Sequence, residues 1–379
     1  MLPPFIYVDR QSTFDLMLED LLQQSLIAVD IESNGLHVYR EHVCLIQLST
    51  REHDYIVDPL RKMNLEGLAQ VFADRTIEKI FHASEYDLIS LKRDYGFGVH
   101  HLFDTMVAAR MLGHASLGLD RMLAIYLEVD ISKKHQRDDW GMRPLPESNL
   151  RYAQQDTHYL PQLRDRMRDA LIEMGRLSEF EEICIDCQTV QDSTNNFDPE
   201  GYWKIGLPQR LNLRAMAILK ELYLWREQLA EERNLPPFKI LSNKVLVDIA
   251  QNAPRNTKEL HNLSEVSATI AKRYGSELLH QVKRGTQAPL PTKPPTPEAP
   301  TSQLSERYYA LQQWRKNRGE ARGVSSDIVL SKDEMWQLAV HMPTTVEQLA
   351  QVTGLGTQRL ALYAEDILKL LQGMEGGDV

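Results

Sequence analysis

The chain has 379 residues, with 43 Lys+Arg against 53 Asp+Glu, 42% hydrophobic and 25% charged residues, and three cysteines. This composition excludes a disordered or fibrous chain and gives room for two or three ordinary domains. No apolar run approaches the roughly 20 residues of a membrane helix, the start lacks signal-peptide regions, and three cysteines cannot build a disulfide framework, so a cytoplasmic protein is expected.

In the first half, short runs rich in β-branched residues alternate with helical stretches. Residues 25–33 (SLIAVDIES), 42–50 (HVCLIQLST) and 54–59 (DYIVDP) read as successive strands, bounded by turn residues such as Asn34-Gly35 and Asp58-Pro59. Helical spacing marks 65–74, 84–96 and 119–129, and 78–83 (EKIFHA) reads as a further strand. This order points to an α/β domain with a mixed sheet. One long helix is expected from near Ser148 to about Gly175. Cys184 and Cys187 form a CxxC in a helical segment; with no second pair, they read as incidental thiols.

Beyond about residue 204 the pattern is helical throughout. A polar stretch (191–201) marks the boundary, and 286–302, with six prolines, reads as a stiff extended linker. The segments on either side of that linker look duplicated. A shift of 89 residues places Trp225-Arg226 on Trp314-Arg315, Ala250 on Ala339, Pro254 on Pro343, Leu260 on Leu349 and Tyr274 on Tyr363. The two tryptophans fall within amphipathic patterns and read as core.

The net charge of −10 is unfavourable on average for a nucleic-acid partner, yet it is unevenly distributed. Residues 1–204 carry net −13, residues 205–285 net +5, and residues 303–379 net −2. In the basic segment Lys239, Lys244, Lys258, Lys272, Arg273, Lys283 and Arg284 surround an apolar framework, as an RNA-facing surface requires. TGLGTQRL (353–360) in the last segment reads as an ordinary turn, or as backbone N–H groups offered to a phosphate.

Asp30 and Glu32 end an apolar strand. Being two apart, they project from one face, where they repel unless a cation neutralises them. Asp87 falls in the first turns of a helix, and Tyr152 and Asp156, four apart, share a face of another. Each feature alone also suits a solvated strand end, a helix-dipole charge or a surface pair.

Together and in this order, VDIES, FHASEYD and YAQQD resemble the DEDD exonuclease superfamily in its YxxxD branch. FDTMVAARML (103–112), DDWGMRPLP (138–146) and YWKIG (202–206) are similar to ribonuclease D, and the helical repeats resemble HRDC domains. The resemblance implies a ribonuclease H-like mixed-sheet exonuclease domain with its bridging segment (1–204), then two all-α HRDC-like domains (205–285 and 303–379) separated by the linker (286–302). It implies a 3′-5′ exoribonuclease that releases nucleoside 5′-monophosphates. Asp30, Glu32, Asp87 and Asp156 would hold two Mg²⁺ or Mn²⁺ ions, and Tyr152 would orient the attacking water. The expected substrates are tRNA precursors or other structured RNA 3′ ends, acted on by a monomer with no membrane association. A 3′-5′ DNA exonuclease and a non-catalytic RNA-binding scaffold are the alternatives; presence of all five residues argues against the scaffold. The chain has no GxxxxGK[ST] loop for a helicase.

At the edge of this set, His82 could approach the terminal nucleotide or be a buried structural histidine. Lys133, Lys134 and Arg137 form a basic loop that could touch substrate phosphates or simply be solvated. Asp104 is read as a helix cap, since four carboxylates already suffice as ligands.

Overall fold

The computed structural model describes residues 2–189, 197–295 and 300–375. Residues 190–196 of the polar boundary, 296–299 of the proline-rich linker and the last four residues of the second helical segment lie outside that description. Two compact units form: Met1–Glu32, Val43–Ser193 and Glu298–Val379 make one, Ser33–His42 and Thr194–Pro297 the other. Among the described residues no helix is long and apolar enough to cross a membrane.

The first unit opens with β1 (Ile6–Val8), α1 (Gln11–Leu21), β2 (Leu26–Ser33), β3 (Val43–Ser49) and β4 (Asp54–Val57). It continues through α2 (Gly67–Ala73), β5 (Glu78–Phe81), α3 (Glu85–Tyr95), β6 (Leu102–Asp104) and α4 (Thr105–Met111). Then come α5 (Leu119–Leu127), α6 (Glu147–His158), α7 (Leu160–Glu173) and α8 (Leu177–Cys187). The six strands form one sheet in the order β1-β4-β3-β2-β5-β6. β3 runs antiparallel to β4, whereas β1/β4, β2/β5 and β5/β6 are parallel, so the sheet is mixed as expected. β2 lies inside the sheet, and its first four residues are buried because helices cover it.

Three differences from the sequence pattern have physical causes. β1 and β6 have three residues each, too few to show a period, and gain their stability from pairing with β4 and β5. α1 is marked by Phe14, Met17 and Leu21, all buried at helical spacing, a signal that the strand pattern beside it obscured. The long helix is two helices: Pro161 cannot donate to the Thr157 carbonyl four residues back, and the chain breaks at Tyr159 before α7 begins.

In the second unit α9 (Tyr202–Gly206) precedes the first helical repeat, α10 (Leu213–Glu232), α11 (Pro237–Ile240), α12 (Asn243–Asn252), α13 (Thr257–His261) and α14 (Ala268–Gln287). The second repeat, in the first unit, is α15 (Ser302–Arg322), α16 (Ser326–Val329), α17 (Lys332–His341), α18 (Val346–Thr353) and α19 (Thr357–Glu375). Their internal contacts repeat at the 89-residue shift. Trp225 meets Tyr274 edge-on at 5.7 Å and Trp314 meets Tyr363 at 5.9 Å, which makes both tryptophans packing residues. Arg226 donates to the Leu241 carbonyl at 3.0 Å, and Arg315 to the Leu330 carbonyl at 2.9 Å.

The second repeat shares one apolar core with the sheet-bearing part of its unit. Phe103 and Phe180 belong to the same cluster as Leu338 and Ile367. The seam is also ionic. Glu179 on α8, only 4% exposed, accepts from Arg322 at 2.9 and 2.6 Å and from the Tyr363 hydroxyl at 2.9 Å. Glu182, one turn along, accepts from the backbone N–H groups of Gln358 at 2.8 Å and Arg359 at 3.2 Å. α19 therefore receives its N-terminal cap from another helix, and Gly356 makes room for it, since a Cβ there would lie 2.2 Å from the Glu182 carboxyl carbon. The N–H groups once offered to a phosphate are those this glutamate takes.

Removing one partner of a buried ion pair strands the other. Glu179→Gln should cost about 3–5 kcal/mol, read as a lower urea midpoint for unfolding of the full chain. An unchanged midpoint would show that the seam rests on its apolar contacts alone.

Candidate active site

Asp30 and Glu32 point from one face of β2, and Asp156 reaches them from α6. One oxygen of each lies within 4.8 Å of the other two. Asp87, in the first turn of α3, is buried and close enough to Asp30 and Asp156 for their charges to act on its carboxyl, but it stands outside that close triplet. Tyr152, one turn before Asp156, is buried with its ring 6.0 Å from both Trp140 and His135. Asp30, Glu32, Tyr152 and Asp156 line a cleft of about 280 Å³ with His82, Asp120, Lys133 and Gln136, and Asp87 is not among its lining residues.

Among the described residues none of the four carboxylates pairs with a lysine, arginine or histidine. Burial, aided by neighbouring charge at the other three, consequently governs all four. It pushes Asp30 up to about 7, against the Ile31 backbone N–H. Glu32 is held well above its usual range by burial, then by Asp30, Asp156, Asp87 and Asp138. Asp87 and Asp156 are raised by burial and then by Asp30. Tyr152 is raised by burial and then by Asp156, so its phenol keeps its proton at neutral pH. Like charges gathered in a partly buried cleft, with oxygen donors only, fit hard divalent cations.

Three polar networks fix the elements that carry these groups. Asp104 joins two helix starts: its carboxylate accepts from Met106 and Val107 at the N-terminus of α4 (2.8 and 3.2 Å) and from Ala83 and Ser84 ahead of α3 (3.1 and 2.7 Å). The cap expected of Asp104 is therefore present, and the same side chain also sets the entry to the helix bearing Asp87. Under α6, Asp54 accepts from Ser49 at 2.7 Å and Gln154 at 2.6 Å and lies 2.8 Å from His158 Nδ1. Burial raises this carboxyl, but those three bonds outweigh it and hold it below its usual range. The third network seats the loop before α6. All five N–H groups of Arg143 are used: two on Asp58 and one each on the carbonyls of Cys44, Trp140 and Met142, every bond 2.7 Å. Trp140 is thereby held against Tyr152.

The peripheral residues divide. His82 lines the cleft, while its Nδ1 lies 2.9 Å from the Thr105 hydroxyl and burial lowers its basicity, so it is anchored in the fold as well as open to the site. Lys133 also lines the cleft, 2.7 Å from Asp120. Lys134 and Arg137 are exposed and are not among the residues lining the cleft. Sequence reasoning passed over the supporting roles of Asp54, Asp58 and Arg143, whose partners lie far along the chain, and also Asp120, which pairs with the nearby Lys133. For Arg143 there was one signal, its place in DDWGMRPLP.

These raised carboxyls have a consequence for stability. The native state binds protons that the unfolded state has released, for Asp30 between its usual 3.8 and about 7. The cluster's contribution is therefore greatest at the acid end and is lost as pH rises through that window. In metal-free protein the thermal midpoint should fall between about pH 5 and about pH 8 by a component that Asp30→Asn removes. Mg²⁺ or Mn²⁺ should raise the midpoint at the upper pH in the parent chain and not in that variant.

Residues 5–172 match the 3′-5′ exonuclease family, and residues 215–282 and 305–371 each match the HRDC domain. The exosome complex exonuclease RRP6 of Saccharomyces cerevisiae is 34% identical over 294 residues, which are 74% of this chain and 40% of that protein. Exosome complex component 10 of Homo sapiens is 30% identical over 281 residues, 72% of this chain and 32% of that one. The chain thus spans about a third to two fifths of the length of these curated relatives. The catalytic core of RRP6 from Trypanosoma brucei superposes with a TM-score of 0.67 at 28% identity, covering 74% of this chain and 79% of that one. Escherichia coli RNase D, an exoribonuclease involved in structured RNA processing, shares the fold over 98% of this chain and 99% of its own, with a TM-score of 0.69 at 24% identity.

Proposed function

This chain belongs to the ribonuclease D-like 3′-5′ exonucleases of the DEDD superfamily, and from that membership we propose that it hydrolyses RNA from the 3′ end, releasing nucleoside 5′-monophosphates. The observation that carries the reading is the convergence of Asp30, Glu32 and Asp156 within 4.8 Å beside the Tyr152 phenol, with no lysine, arginine or histidine paired to them among the described residues. With Asp87 they would hold two Mg²⁺ or Mn²⁺ ions. Ions bound there would supply the positive charge that activates water and offsets charge on the departing 3′ oxygen.

The remaining steps belong to the chain. Tyr152, kept protonated by burial and by Asp156, is suited to orienting the attacking water rather than to abstracting its proton. Trp140, pinned through Arg143, restricts the phenol to one position. Lys133, at the cleft, can meet a substrate phosphate at the expense of Asp120, and His82 presents a largely neutral ring to the terminal nucleotide. Lys134 and Arg137 would contact phosphates farther out on the same loop.

We place catalysis in residues 1–204 and RNA binding in the repeats at 205–285 and 303–379, joined by 286–302. The substrates we infer are precursor tRNAs and other structured RNA 3′ ends, acted on by a cytoplasmic monomer. Relatives named for the exosome complex raise assembly with other RNA-processing subunits as a second context.

Degradation of labelled RNA and DNA, with and without divalent metal, tests the reading. RNA should be shortened from its 3′ end in the presence of metal alone; equal cleavage of DNA would remove the RNA assignment, and no cleavage of either would leave a binding scaffold. Asp30→Asn and Asp156→Asn should each lower turnover by at least about a thousandfold while RNA is still bound. Tyr152→Phe should lower kcat by about 10²- to 10³-fold with little change in metal affinity, because only the hydroxyl is lost.

A further inference from the structure

The two repeats carry the same arginine–tyrosine pair at the 89-residue shift. Arg233 donates to the Tyr274 hydroxyl at 2.8 Å, and Arg322 donates to the hydroxyl of Tyr363. In the second repeat this pair is an anion site already filled by the Glu179 carboxylate, which both side chains bind. In the first repeat Tyr274 is buried, only 4% exposed, while the Arg233 that donates to its hydroxyl is exposed. Arg233 makes no ion pair among the described residues. Glu277, near enough to feel its charge, is turned to the Ser276 hydroxyl at 2.6 Å.

Substitutions between the repeats indicate what kind of anion the first pair suits. The feature that seats a helix on the second repeat is gone: Gly356 is replaced by Ser267, which caps α14 from within by accepting from the Ile270 N–H at 3.2 Å, and Arg359 is replaced by Ile270. The Ile270 N–H, the counterpart of the Arg359 N–H that Glu182 takes, is thus already occupied. Cationic groups stand instead where the second repeat has acidic or neutral ones, with Lys244 for Asp333, Lys258 for Glu347 and Arg273 for Leu362. Arg273 places a second guanidinium 5.2 Å from the Tyr274 ring centroid, as Arg233 does at 5.3 Å. A surface with two guanidiniums, one phenol and further lysines matches a polyanion better than a single acidic helix.

We propose that Arg233, Arg273 and the Tyr274 hydroxyl form a phosphate-binding site for the RNA backbone on the first helical repeat. The proposal rests on the RNA reading given above and adds to it a named contact for the substrate backbone on the first repeat. The guanidiniums take the phosphate oxygens and Tyr274, already fixed by Trp225, gives the third bond.

The test uses the full-length chain carrying Asp30→Asn, so that RNA stays intact, and measures affinity for single-stranded RNA by fluorescence anisotropy across a salt series. Arg233→Gln and Arg273→Gln should each weaken binding at least about threefold and make the slope of log affinity against log salt shallower by about 0.7. Tyr274→Phe should weaken binding without lowering the thermal midpoint, since its ring still meets Trp225; it decides the matter if an arginine variant proves unstable. Arg322→Gln, which serves the Glu179 seam, should lower the midpoint and leave the salt slope alone. Unchanged slopes in both arginine variants overturn the proposal, as does an acidic peptide whose binding they weaken while RNA binding is unaffected. A chain that binds RNA through Arg233 yet leaves RNA uncut refutes the exonuclease reading and keeps this one; a chain that cuts RNA with a slope indifferent to Arg233 does the reverse.

Discussion

Carboxylates brought together in a partly buried cleft repel one another, and the first unit is built to hold them despite that. Asp30 and Glu32 cannot separate because both are on β2, an inner strand of the sheet. Asp156 would move off if α6 could shift, but Asp54 grips α6 through Gln154 and His158. Asp87 would move off if α3 could turn, but Asp104 ties the chain ahead of α3 to the start of α4. For Asp156 and Asp87 another carboxylate, one well supplied with hydrogen bonds, restrains one that has almost none. The contrast in acidity between Asp54, held low, and Asp30, held high, measures that division.

Much of this was legible because it depends on local spacing. Two residues along a strand or four along a helix fix a shared face, so Asp30 with Glu32 and Tyr152 with Asp156 could be paired without a structure. The supports could not. Asp104 declares itself as a cap of α4 through its position before Thr105, whereas its hold on Ala83 and Ser84 exists only because β6 lies beside β5. The bond between Arg143 and Asp58 likewise joins residues 85 apart. Sequence patterning sees periods, and tertiary hydrogen bonds have none. The break between α6 and α7 is a different failure, in which the apolar period continued across a proline that the backbone could not accommodate.

The duplication illustrates how one helical frame can be put to two uses. The same tryptophan, tyrosine and arginine contacts define both repeats, yet a glycine in place of a serine lets α19 borrow its cap from Glu182, while α14 keeps its own. Segment charge hinted at the divergence, net +5 against net −2. It did not reveal that the second repeat is seated on α8, because a buried pair such as Glu179 with Arg322 cancels in any sum of charges.

That seating ties the first unit to the order of synthesis. Glu179 lies 143 residues before Arg322 and 184 before Tyr363. As the chain emerges, the sheet and its flanking helices can assemble early, but the outer face of α8 must wait for a segment made after the whole first repeat. During that interval an acidic and partly apolar surface is open to water and to other chains. Contacts of such long sequence separation also slow the closing step of folding. The seam that completes the unit thus cannot close until Tyr363 has been made, and until then the face of α8 that carries Glu179 has no partner from the second repeat.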